Sequence, residues 1–138
     1  MKLATFPALV LLTLVMVIFN ACSNSGTSLE GDWKLVSYGN AANPTSALPN
    51  VDTTISFKEG QFGGTVGCNS FGGDYKVNGD QLTIGSIIST MMFCEATSAQ
   101  ESVVLGILSD QTLKFSLSGN QLTLTSQDGS SVVVLEKK

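Results

Sequence analysis

The sequence predicts a small, mainly β domain, an antiparallel sandwich or barrel with a single helix. Three observations carry that expectation. Apolar and polar residues alternate along most of the chain, the two-residue period of a half-buried strand. Turn signals recur every 8–12 residues or so, about the spacing of consecutive short strands. One segment abandons the alternation for helical spacing.

The first strand is read from Trp33, Leu35 and Ser37, which alternate with Asp32, Lys34 and Val36. A loop from Gly39 to Asn50 follows, broken by Pro44 and Pro49. Ile55 and Phe57 open a second strand that ends in a hairpin turn at Lys58-Glu59-Gly60. Phe62 to Cys68 forms a third, in which Gly63, Gly64 and Gly67 point to a bulge or bend. Asn78-Gly79, a strong hairpin cue, separates Tyr75–Val77 from Leu82–Ile84. Gly119-Asn120 does the same between Leu113, Phe115, Leu117 and Leu122, Leu124, and Asp128-Gly129 precedes a last strand, Val132–Leu135.

The helical segment runs from Glu95 to Ser109. Val104, Leu105 and Leu108 share one side, which Ala99 and Val103 extend. Thr97 or Ser98 can cap it, with Glu101 completing a capping box on Ser98. Asp80–Ile84 echoes Asn120–Leu124, either a duplicated hairpin or, the favoured reading, convergence of two strands entering from similar turns.

Absences exclude whole classes of chemistry. The chain has no His, so Ser/His/Asp and Cys/His nucleophiles and His-ligated metals are ruled out. No Gly-rich loop opens a helix, so phosphate cradling has no support. Carboxylate pairs such as Asp74 with Glu95 or Glu101 are the remaining route to acid/base catalysis, but scattered surface carboxylates are the commoner case. The chain is expected to be no enzyme and to need no metal or cofactor.

The N-terminal end points to export. Met1 and Lys2 are followed by an almost wholly apolar run, Phe6–Phe19. That run is short of the roughly 20 residues needed to cross a bilayer, and it fits a signal peptide over residues 1–21 better than an uncleaved anchor helix. Phe19-Asn20-Ala21-Cys22 resembles the lipobox of bacterial lipoproteins, which implies acylation of Cys22. Residues 22–28 then form the lipidated cysteine and a polar tether, and 29–138 the domain. Processing leaves six Lys against eleven acidic residues, a net charge of −5. With no basic patch, nucleic-acid binding is excluded.

Two cysteines remain, Cys68 and Cys94. In an exported chain they are most simply a disulfide, the alternatives being buried free thiols or a metal pair. Gly67-Cys68-Asn69-Ser70-Phe71-Gly72-Gly73-Asp74-Tyr75 is the densest constellation, a tightly specified turn after which Tyr75 packs inward. Met91, Met92 and Phe93 stand beside the second thiol. They form either a ligand-contacting face or, the favoured reading, a core layer stapled by the disulfide.

These residues resemble the META domain (HslJ-like) family. The shared features are Gly31, Trp33 and Leu35; Gly67-Cys68-Asn69 with Gly73 and Tyr75; and Thr90, Met91 and Cys94 before a helix bearing Glu101. The resemblance implies a compact, β-barrel-like domain with one helix, usually exported and often lipid-anchored. It also supports the Cys68–Cys94 bond. The expected function is a non-enzymatic lipoprotein of the cell envelope, facing periplasm or exterior, with a structural or interaction role in envelope stress. The partners expected are the membrane, through the lipid, and an envelope protein. One alternative is a barrel that binds a small apolar ligand. Another is an inhibitor of an envelope hydrolase, presenting the loop at Ser70-Phe71-Gly72.

Overall fold

The computed structural model describes residues 28–138, so the signal peptide expected over residues 1–21, Cys22 and most of the expected tether lie outside the described residues. Within them the chain forms β1 (Gly31–Asn40), β2 (Thr45–Ser46), β3 (Thr54–Lys58), β4 (Gln61–Thr65), β5 (Ser70–Asn78), β6 (Gln81–Ile84), β7 (Ile88–Ser89), α1 (Ser98–Leu108), β8 (Thr112–Ser118), β9 (Gln121–Ser126) and β10 (Ser131–Lys137).

Eight strands go round in the order β1-β3-β4-β5-β6-β8-β9-β10, and β10 pairs back onto β1. The result is a closed antiparallel barrel with one helix. Closure leaves no long strand edge to attract another chain. The two-residue strands β2 and β7 lie on β1 and β5. Among the described residues no helix is long and apolar enough to cross a membrane.

Alternation builds the core. Trp33, Leu35, Ile55, Phe57, Phe62, Tyr75, Leu82, Ile84, Leu113, Leu122, Leu124, Val133 and Leu135 are all buried and form one cluster with Val104 and Leu108 of the helix. Phe57 meets the Tyr75 ring edge-on at 5.2 Å. The inward packing expected of Tyr75 is therefore present.

Several expectations need correction. The β1 alternation breaks after Leu35, where the register with β10 shifts, so Tyr38 and not Ser37 turns inward. The glycines of β4 make no bulge, and its ladders with β3 and β5 run in register. They allow close approach instead: a Cβ on Gly63 would fall 2.7 Å from the Phe71 carbonyl oxygen. The strand ends at Thr65, and 66–69 forms a bend.

The Asn78-Gly79 turn is displaced by one residue. Asn78 pairs with Gln81, so Gly79 and Asp80 are the central residues, with positive φ only at Gly79. Gly119-Asn120 repeats that arrangement between Ser118 and Gln121. The echo between the following strands thus tracks a shared turn solution.

The helix starts at Ser98, later than expected, and buries Gln100, Glu101, Val104 and Leu108. Ala99 is exposed and Val103 is 41% exposed, so neither extends the apolar side. No capping box forms. Thr97 occupies the N-cap without a side-chain cap bond, because Glu101 is engaged elsewhere.

Candidate functional site

The barrel has two distinct ends. One carries the start of β1 and the turns after β3, β5 and β8; Glu59 N–H donates to Glu30 Oε1 there, and Lys137 N–H to the Asn120 carbonyl. Ser28, Leu29 and Glu30 lie beside Tyr75, Val77 and Phe115, so this is the end at which the chain enters. The other end carries α1 and the loops 41–53, 66–69, 85–111 and 127–130.

A polar clasp closes the helix-bearing end. Glu101 points from the first turn of α1 into the 66–69 bend, where its Oε1 accepts the backbone N–H groups of Cys68 and, at 2.9 Å, Asn69. The same oxygen accepts the Thr97 hydroxyl at 3.3 Å, while Oε2 accepts Asn69 Nδ2 at 2.7 Å. Burial alone would raise the Glu101 pKa. The hydrogen bonds from the Asn69 side chain, the two backbone N–H groups and Thr97 outweigh it and hold the carboxyl below its ordinary value.

Asn69 passes the connection on. Its Oδ1 accepts the Met92 N–H at 2.7 Å and the Thr90 hydroxyl at 2.8 Å, and its Nδ2 also donates to the Met92 carbonyl at 2.9 Å. The side-chain amide therefore pairs with Met92 as a neighbouring strand would. Ser70 and Thr90 add two more bonds, Ser70 N–H to Thr90 Oγ1 at 3.1 Å and Thr90 N–H to the Ser70 carbonyl at 3.0 Å. Cys68 and Cys94 form a disulfide across the same loops, with Cα atoms 6.2 Å apart. Gly67 must lack a side chain, since a Cβ there would collide with the Glu101 carboxylate and Thr97.

What the clasp holds is an exposed apolar loop. Met91 is 96%, Met92 58%, Phe93 83% and nearby Ile88 80% exposed. The expected core layer at Met91–Phe93 is therefore overturned. Asn69 is buried beneath the loop, held by Glu101, and its hydrogen bonds engage the Met92 backbone, which leaves the loop's side chains outside. An open groove of about 490 Å³ runs between Met91–Phe93 and Ser98, Ser102 and Leu105 of the helix.

The family-motif residues divide between two places. Gly31, Trp33, Leu35, Gly73 and Tyr75 sit in the barrel wall. Trp33 donates its indole N–H to the Leu29 carbonyl at 2.7 Å, and the Lys137 ammonium lies 4.6 Å from its ring centroid. Gly67, Cys68, Asn69, Thr90, Met91, Cys94 and Glu101 come together at the clasp. Phe71 is buried in β5 against Phe62, so the Ser70-Phe71-Gly72 segment is not an exposed loop.

The carboxylates proposed for acid/base work have other situations. Asp74 is exposed on β5 opposite Gln61, Glu95 is exposed before the helix, and Glu101 accepts four donors. Among the described residues no group of three or more Cys, Asp or Glu could hold a metal ion.

Sequence reasoning missed Gln100. It is fully buried, donating to the Val66 carbonyl at 2.6 Å and accepting the Leu48 N–H at 2.8 Å. Its signal was a polar residue in line with Val104 and Leu108 at four-residue spacing. Thr53 was missed too; its hydroxyl accepts the Leu35 N–H at 3.2 Å.

Similarity to known proteins agrees with this architecture. An NMR structure of a protein from Burkholderia xenovorans superposes with a TM-score of 0.65 at 19% identity, covering 79% of this chain and 82% of that one. A DUF4847 family protein from Bacteroides vulgatus gives 0.60 at 14% identity, with 79% and 93% covered. A lipocalin-like protein from Bacteroides uniformis gives 0.55 at 21% identity, with 80% and 98% covered. At these identities the likeness is one of fold. No match is found among curated proteins. The META domain family model matches residues 27–138, which include all of the described residues. The chain belongs to the META domain family.

Proposed function

We propose that the protein is a non-enzymatic lipoprotein of the cell envelope, anchored by acylated Cys22, whose META domain acts through its outer surface as an interaction module. The observation that carries this reading is the filled barrel. A side chain lining a void large enough for water would keep accessible surface, yet Ile55, Val66, Leu82, Leu122, Leu124, Val133 and Leu135 keep none. Around these side chains the interior leaves no space for an apolar ligand. The large apolar side chains left without neighbours are outside, on the loop that the clasp positions.

The absence of His and the engagement of Glu101 by four donors support a non-catalytic domain. The hydrolase-inhibitor alternative loses its presenting loop with Phe71 buried. The anchor rests on the apolar run before Cys22 and is tested there. Cys22→Ser should abolish lipid labelling and move the domain to the soluble fraction. Recovery of the variant, with its signal cleaved, in salt-washed membranes would refute the anchor.

A further inference from the structure

The charges of the barrel are divided between its ends. Loops 41–53, 66–69, 85–111 and 127–130 contain Asp52, Glu95, Glu101, Asp110 and Asp128, and not one Lys. Five of the six lysines of the described residues, Lys34, Lys58, Lys76, Lys114 and Lys137, lie on strands of the barrel wall, and Lys138 follows β10 with its ammonium on Asp52 and Thr54. Six acidic residues lie with them outside those loops and match the lysines in number, so the surplus of acidic residues falls in the loops of the helix-bearing end. Asp52 is offset by Lys138 at 3.4 Å, and Glu101 is buried. Glu95, Asp110 and Asp128 are left exposed on the end that carries Ile88, Met91, Met92 and Phe93.

We infer that this end docks an envelope protein offering an apolar cleft rimmed by Lys or Arg, an inference that rests on the domain being an interaction module. Apolar anchors at the centre of a contact supply affinity, and complementary charge around them supplies orientation and on-rate. The other occupants fit less well. An anionic bilayer would repel the exposed carboxylates of this end, and the described chain begins at the opposite end, beside Tyr75, Val77 and Phe115. A second copy would bring two acidic ends together. Met91 and Met92 suit the task, since unbranched thioether side chains adapt to a partner's contour.

The test uses the full lipidated chain in detergent and two peptides with the same leucine face, one flanked by lysines and one by glutamates. The lysine peptide should bind at least about tenfold more tightly, weaken with salt, and lose about tenfold on Met91→Ser/Phe93→Ser but not on Val77→Ser at the other end. Equal affinity for the two peptides, no binding of either, or equal loss in both variants would overturn the inference. A photo-crosslinking residue at Met91 in intact envelopes separates the levels of failure. Capture of a protein through an apolar segment bearing Lys or Arg agrees with the inference. Capture through a neutral or acidic segment overturns the partner chemistry while an interaction role survives. Crosslinks to lipid alone overturn both.

Discussion

Asn69 and Glu101 join the 66–69 bend to the Thr90–Met92 loop and the start of α1, more than twenty residues further along the chain. Every polar atom of the Asn69 side chain has a partner, and Glu101 turns a buried charge into an acceptor for four donors. A buried carboxylate is tolerable only on such terms. Because its folded pKa lies below the unfolded value, Glu101 adds stability that is fully present above the ordinary carboxylate range. That stability is lost as pH falls through the lowered folded value. Glu101→Gln should therefore destabilise the domain at neutral pH by about 1–3 kcal/mol and flatten its loss of stability below about pH 4.5. Asp128, held to about 2 by Ser126 and Ser130, titrates in both proteins and cancels in the comparison. Urea titrations from pH 7 to pH 3 that give parallel profiles for the two would show that Glu101 is no acceptor at the clasp. At this scale the sequence revealed the cluster through its glycines, Asn69 and Glu101. It did not reveal the partners, since hydrogen bonds spanning some thirty residues, such as Asn69 to Glu101 at a separation of 32, leave no local pattern.

The strands were legible because each buries one face, which a two-residue period records directly. The errors fall where another force overrides the period. The shift after Leu35 breaks β1, and the Met91–Phe93 loop is apolar without being buried. Composition cannot separate a core segment from a presented one. The disulfide belongs to this scale as well, because it joins the bend after β4 to the loop before α1 across 26 residues. Restricting the unfolded chain over that separation stabilises the fold by about 3.5 kcal/mol in the chain-entropy model. Cys68→Ser/Cys94→Ser should lower unfolding stability by up to about that amount and still fold, since the Asn69–Glu101 bonds remain. Intact-mass analysis of the unreduced domain should find no alkylatable thiol at either position. Two alkylated cysteines in the folded protein would contradict the bond.

At the scale of the whole molecule, the mainly β class and the single helix were legible from the residues, and the barrel-like form from the family resemblance. Closure was not, because pairing of β10 with β1 joins the two ends of the domain and has no signature in either strand. Closure also decides the functional reading, since an eight-stranded barrel is just wide enough to be filled by its own side chains or to hold one small ligand. Leu124, fully buried at the centre of β9 between β8 and β10, distinguishes those states. In a filled barrel, truncation removes packed contacts and leaves a cavity, so Leu124→Ala should cost about 2–5 kcal/mol in urea unfolding. The same experiment would contradict the account if stability stayed nearly unchanged while a co-purifying lipid or small molecule was lost, because Leu124 would then line a binding cavity.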